Sequence, residues 1–129
     1  KPDIVTIGKA IGRGIPIGAS GISSALASSF TRGVQDTIDR TGVPWSIAQL
    51  GARAEYRFVS PAPRNGSESV DAYDADLEDF LHVFLANRGV LMTPFHNMAL
   101  MCPVTTEADV ARHTELFAEA VALLVGPAS

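Results

Sequence analysis

Cysteine is nearly missing from this chain: Cys102 is the only one in 129 residues. No internal disulfide can form, and the composition suits a reducing cytoplasm. Positive charge is also short, with 10 Lys and Arg against 14 Asp and Glu. A net charge of -4 and a pI near 5.2 argue against a nucleic-acid footprint and a polybasic membrane patch. No apolar run approaches the ~20 residues that cross a bilayer, and no signal-peptide pattern is present. Internal repeats and low-complexity tracts are absent too, which excludes solenoids and repeat arrays.

What is present is the material of a globular fold. Hydrophobic residues make up 47% and charged residues 19%, a balance that folds. The length allows one domain with a real core and is short for two ordinary ones. Ile4 to Ile7 reads as a short buried strand and Ile15 to Ser20 as a second extended piece. Leu26, Phe30, Val34 and Ile38 recur every four residues and predict a helix, capped by Gly42 with Pro44 beyond. Trp45 to Leu50 and Arg53 to Val59 read as strands joined at Gly51. In the second, Ala54, Tyr56 and Phe58 alternate with Arg53, Glu55 and Arg57. Ser60 to Ser69, with two prolines, a glycine and an asparagine, reads as a loop.

Leu77, Phe80, Leu81, Phe84 and Leu85 fill one face of a further helix that Gly89 ends. Val90 to Met92 and Ala99 to Cys102 read as short strands around Pro94-Phe95-His96-Asn97. Thr106 and Asp109 approximate a capping box for a last helix, with Val110, Phe117, Val121 and Leu124 as its apolar stripe and Gly126-Pro127 as its stop. Strand pair, helix, strand pair, helix, strand pair, helix predicts an α+β layer: a small sheet with helices mainly on one face.

The most informative segment is Asp3-Ile4-Val5-Thr6-Ile7-Gly8-Lys9-Ala10-Ile11-Gly12-Arg13-Gly14-Ile15-Pro16-Ile17-Gly18. An apolar strand runs into one lysine, then glycines and a proline. A P-loop places its lysine after the glycines and opens a helix, whereas here the lysine comes first and Pro16 blocks a helix. Gly12, Gly14 and Gly18 miss the dinucleotide spacing by one residue. Two readings survive from the residues. Lys9 is either a surface lysine beside a turn, or an amine presented for Schiff-base chemistry, which needs it desolvated or close to positive charge.

The wording of this segment, continued to Ala19, resembles the cofactor-lysine motif of class III aminotransferases. These are pyridoxal-phosphate enzymes of fold type I, among them glutamate-1-semialdehyde aminomutase. Gly42 to Val59, Asn87 to Cys102 and Thr105 to Val125 resemble that family's C-terminal small domain, most clearly in Asn87-Arg88-Gly89-Val90 and Thr106-Glu107-Ala108-Asp109-Val110. The resemblance implies pyridoxal 5'-phosphate as cofactor and Lys9 as both the catalytic and the cofactor-binding residue. There Lys9 forms the Schiff base and then moves a proton between substrate and cofactor carbons. Gly8, Gly12, Gly14 and Gly18 match backbone-shaping positions. It further implies a small-molecule amino donor and a carbonyl acceptor, a homodimer and a cytoplasmic location, with no nucleic-acid or membrane partner. Residues 1–27 are expected to be a remnant of the cofactor-binding α/β large domain, and 28–129 the small domain.

The chain departs from the family pattern in three places. Arg13 stands where the family has glycine. The groups that would hold the cofactor's phosphate, ring and pyridine nitrogen are expected before residue 1, which is not methionine. Between Ala19 and Gly33 an internal stretch of the family is missing, with the seam expected around Ala27-Ser28-Ser29. A competing expectation follows, that the chain is a non-catalytic fragment whose small domain folds or binds a partner. Racemisation or decarboxylation on the same lysine is a third reading.

The remaining reactive side chains point elsewhere. Arg53 and Arg57 fit a substrate carboxylate by residue type only, and a charged face on an edge strand is the expected role. His82, His96 and His113 share no metal-ligand spacing. Asp74, Asp76, Glu78 and Asp79 suit a helix N-terminus and solvent, and the calcium-loop glycine and terminal glutamate are missing. No G-x-S-x-G motif supports a serine nucleophile. Asn65-Gly66-Ser67 reads as a turn, and Cys102 as a small core residue in a strand.

Overall fold

The computed structural model describes residues 4–8, 18–22, 24–93, 97–102 and 104–126, with side chains from residue 25 onward. The first two strands, β1 (Ile4–Gly8) and β2 (Gly18–Ile22), form an antiparallel ribbon. Helix α1 (Ser24–Thr41) follows and runs without interruption through Ala27-Ser28-Ser29. Then come β3 (Ser46–Leu50) and β4 (Arg53–Arg57), a short α2 (Gly66–Asp71), α3 (Ala75–Ala86), β5 (Met98–Leu100) and α4 (Glu107–Val125). Strands β3, β4 and β5 make an antiparallel sheet in that spatial order. The expected α+β layer of a small sheet with helices is the observed one.

The helical periods find their partners in the core. On α1, Ala27, Phe30, Val34 and Ile38 are buried, and Gly42 closes the helix at φ 70° with its N–H on the Ile38 carbonyl at 2.9 Å. On α3, Leu81, Phe84 and Leu85 are buried, and on α4 Val110, Leu116, Phe117, Ala120 and Val121. Leu124, expected in that stripe, is 41% exposed because the core ends one turn earlier. Thr106 and Asp109 make the expected capping box. Ala54 and Tyr56 enter the core from β4 beside Trp45, and the α1 helix packs over them.

Helices α1 and α4 meet at Gly33. A Cβ there would lie 2.6 Å from both Cγ2 and Oγ1 of Thr114. Thr114 cannot turn away freely, because its hydroxyl donates to the Val110 carbonyl at 3.0 Å. Alanine inside a helix gains about 1 kcal/mol over glycine. Overpacking a tight contact costs about 1–3 kcal/mol. Gly33→Ala is therefore expected to lower stability by roughly 1 kcal/mol net, and the double variant Gly33→Ala/Thr114→Ser to recover part of it. Urea midpoints would show this; a stabilised single variant would contradict the contact.

Several expectations are corrected. Val90 to Met92 forms no ladder: β5 pairs only with β4, and no strand of the described residues lies beside 90–92. The strand expected over Ala99 to Cys102 is Met98–Leu100, so Cys102 lies past its end and is exposed, not in the core. Strand β4 is the middle strand, not an edge. The expected loop to Ser69 is interrupted by α2, because the Asn65 side chain accepts the Glu68 N–H at 3.0 Å and nucleates a turn. Pro94, Phe95, His96, Pro103 and Pro127 fall outside the described residues.

Candidate functional site

Lys9, Gly12, Arg13, Gly14 and Pro16 lie outside the described residues, as do the side chains of Ile4 to Ile7 and Ile15 to Ile17. The backbone on both sides of them is described. Strand β1 stops at Gly8, one residue before the lysine, and Gly8 stands opposite Gly18 at the end of the ribbon. The last cross-strand pair before Lys9 therefore has no Cβ on either strand. Glycine at such a pair allows another molecule to approach the backbone closely, at the cost of strand stability.

The two arginines weighed for a carboxylate separate. Arg57 donates to Glu55 at 2.8 Å, across the same face of β4, and both side chains are half-buried. Its charge is already partnered. Arg53 is exposed at the far end of the strand. The acidic run also divides. Asp74 caps α3 by accepting the Leu77 N–H at 3.0 Å, and Asp76 and Asp79 are exposed, but Glu78 is buried. Burial, and then the Glu78 carboxylate, raise the Tyr56 phenol well above its usual range.

Around Cys102, the Thr105 hydroxyl lies 3.2 Å from the sulfur and also accepts the Cys102 N–H at 3.0 Å. That hydroxyl contact, with backbone N–H groups behind it, lowers the thiol below its usual pKa.

His113 is the least expected feature. Its place among Val110 and Phe117 on the apolar stripe was visible in the sequence, but its isolation was not. The imidazole is 3% exposed, rests on Phe30 with ring centroids 4.4 Å apart and stacks near Phe117 at 5.8 Å. Neither ring nitrogen has a hydrogen-bond partner. Burial alone lowers its pKa to about 4, so it is neutral at pH 7. The residue borders an open cleft of about 300 Å³ between the 89–93 segment, β5 and the first half of α4. His82 is half-buried on α3 and joins no such arrangement.

Among the described residues no three His, Cys, Asp or Glu side chains converge on a point that could hold a metal ion. No helix of the described residues is long and apolar enough to cross a membrane.

No family model and no curated protein matches the chain. Solved structures do. The chain is similar to a glutamate-1-semialdehyde-aminomutase from Pseudomonas aeruginosa PAO1, with 31% identity and a TM-score of 0.77 over 96% of this chain and 40% of that one. A lysine-to-alanine variant of a glutamate-1-semialdehyde-aminomutase from the same organism, in complex with PMP, gives 31% identity and a TM-score of 0.75 over 94% of this chain and 39% of that one. A beta-phenylalanine aminotransferase from Variovorax paradoxus shares the fold, at 19% identity and a TM-score of 0.68 over 92% of this chain and 38% of that one. The chain spans about 40% of the length of the first of these structures.

Proposed function

We propose that this chain carries the lysine-bearing strand and the small domain of a class III aminotransferase or aminomutase, and that Lys9 is the residue that bonds pyridoxal 5'-phosphate. The observation that carries the reading is the similarity to the aminomutase structures at 31% identity over nearly the whole chain, one of them in complex with PMP. The lysine segment supports it independently, by its wording and by the Gly8–Gly18 pair beside it. On this reading residues 1–27 belong to the cofactor-binding domain and 28–129 to the small domain. Among the residues whose side chains are described, the buried core draws on α1, α3, α4 and the three-stranded sheet, and α1 crosses the boundary at 27–28.

The fit to the cofactor rests on the lysine and on that pair without side chains, where a flat ring can lie against backbone. When bound, pyridoxal phosphate supplies an electron sink for the bonds at the substrate's amino carbon. The part of Lys9 is its own. Its Nζ must lose a proton to attack an aldehyde, which desolvation and a neighbouring cation promote, and Arg13 stands four residues away in sequence. Once freed, the same Nζ is a base that can take a proton from a substrate carbon and return it elsewhere. An amino donor and a carbonyl acceptor are the corresponding substrates, in a cytoplasmic homodimer.

The chain contains two lysines, Lys1 and Lys9, which makes the test simple. Mixed with pyridoxal phosphate and reduced with borohydride, it is expected to gain one pyridoxyl group on Lys9, and Lys9→Ala to gain none there. Peptide mass mapping reads the position. Equal labelling of both lysines, or none, would instead favour the second reading, a small domain that folds without cofactor chemistry.

A further inference from the structure

The cleft beside His113 is lined by residues of α1, β5, α4 and the segments 89–93 and 101–105. Phe30, Val90, Met92, Met101 and Val110 give it apolar walls. Its volume of about 300 Å³ exceeds the ~150 Å³ in which an apolar cavity accepts benzene. Methionine sulfurs are soft, adaptable partners for aromatic edges.

The charged groups at its rim are engaged. Asp109 accepts from the Thr106 N–H and hydroxyl at 2.8 Å each, and Arg112 lies 4.0 Å from Glu115. The walls thus recommend a neutral guest, and the His113 ring specifies its polar group. A neutral imidazole has one N–H to give and one lone pair to fill, and a hydroxyl group both donates and accepts. Both nitrogens are covered in the ring orientation described, and His113 is among the residues that border the cleft. A half-turn about χ2 exchanges the nitrogens with ring carbons, on a torsion that is broad and two-fold.

We propose that this cleft binds a small neutral aromatic molecule bearing a hydroxyl group, with the ring on the methionine and valine wall and the hydroxyl on the His113 imidazole. Such a guest would relieve the unmet hydrogen-bonding capacity of a buried side chain, which natural folds rarely leave open. None of the described residues that line the cleft belongs to the lysine segment.

Phenol and toluene, which differ by the hydroxyl, are the probes. Titrated into the purified chain without pyridoxal phosphate, phenol is expected to bind at least tenfold tighter than toluene and to move the ¹⁵N resonances of the His113 ring. His113→Phe should bind both alike, and Lys9→Ala should keep the preference for phenol, which separates this site from the cofactor lysine. The proposal fails if neither probe perturbs the cleft near its solubility limit, if the native chain binds both equally, or if His113→Phe keeps the preference. Should that variant not fold, the ring resonances of the native chain decide: unchanged shifts under phenol overturn the assignment.

Discussion

Replacing Phe117 by alanine is expected to cost about 3–5 kcal/mol, the range for truncating a fully buried aromatic side chain. Phe117 is 0% exposed at the centre of the α4 face. Its ring meets Tyr56 at 5.0 Å, His113 at 5.8 Å and Trp45 at 6.2 Å, so it joins β4, α4 and the turn into β3. Each partner is held from a second side. Trp45 packs edge-on to Phe58 at 4.9 Å, and His113 rests on Phe30 of α1. A core tied on several sides collapses poorly around a missing ring, which places the cost toward the upper end of the range. Domains are stable by only about 5–15 kcal/mol in total. The variant should therefore unfold at a far lower urea concentration, with an unchanged slope if the transition stays two-state. A loss below about 1 kcal/mol would mean that the helices pack on the sheet without this ring as their junction.

The helices and their caps were legible because their signals are local. The four-residue recurrence from Leu26 to Ile38, the face from Leu77 to Leu85 and the Thr106–Asp109 box are each complete within one segment. The alternation of Ala54 and Tyr56 with arginines fixed one face of β4 in the same way. Facts that depend on distant partners were less legible. Nothing near Glu78 in sequence shows that its carboxylate will be buried near Tyr56. Val90-Leu91-Met92 has strand composition, but a strand needs a neighbour, and none of the described strands lies alongside. Cys102 has the character of a core residue until the sheet is seen to stop at Leu100.

The candidate site divides along the same line. The wording of the segment around Lys9 resembles a family motif, and the chain is similar to a solved aminomutase structure over 96% of its length. Wording says nothing of His113. A histidine on an apolar stripe looks like any other core residue until its neighbours prove to be Phe30 and Phe117, with no partner for either nitrogen.

That isolation makes the fold acid-sensitive. In the unfolded chain the His113 imidazole titrates near its ordinary value of 6.5, whereas burial lowers it to about 4 in the folded chain. Between those values the unfolded chain takes up a proton that the folded chain refuses. Stability is therefore full above about pH 6.5, falls as the pH drops through the window, and stops falling from this cause below about pH 4. The lowered pKa corresponds to a loss of about 3 kcal/mol across the window. Asp109, also lowered by its bonds to Thr106, loses its contribution only as it protonates below the ordinary carboxylate value of 3.8, so it acts at the acid end of the range. Urea midpoints at half-unit steps from pH 7.5 to 4 should show the decline. His113→Phe, which keeps an aromatic ring between Phe30 and Phe117, should flatten it while holding or raising stability at pH 7, since an unpaired buried polar group costs about 1–3 kcal/mol. If the native chain and the variant lost stability in parallel between pH 6.5 and 4, the buried imidazole would not be the source, and the ring would have to be reached by water in the folded state.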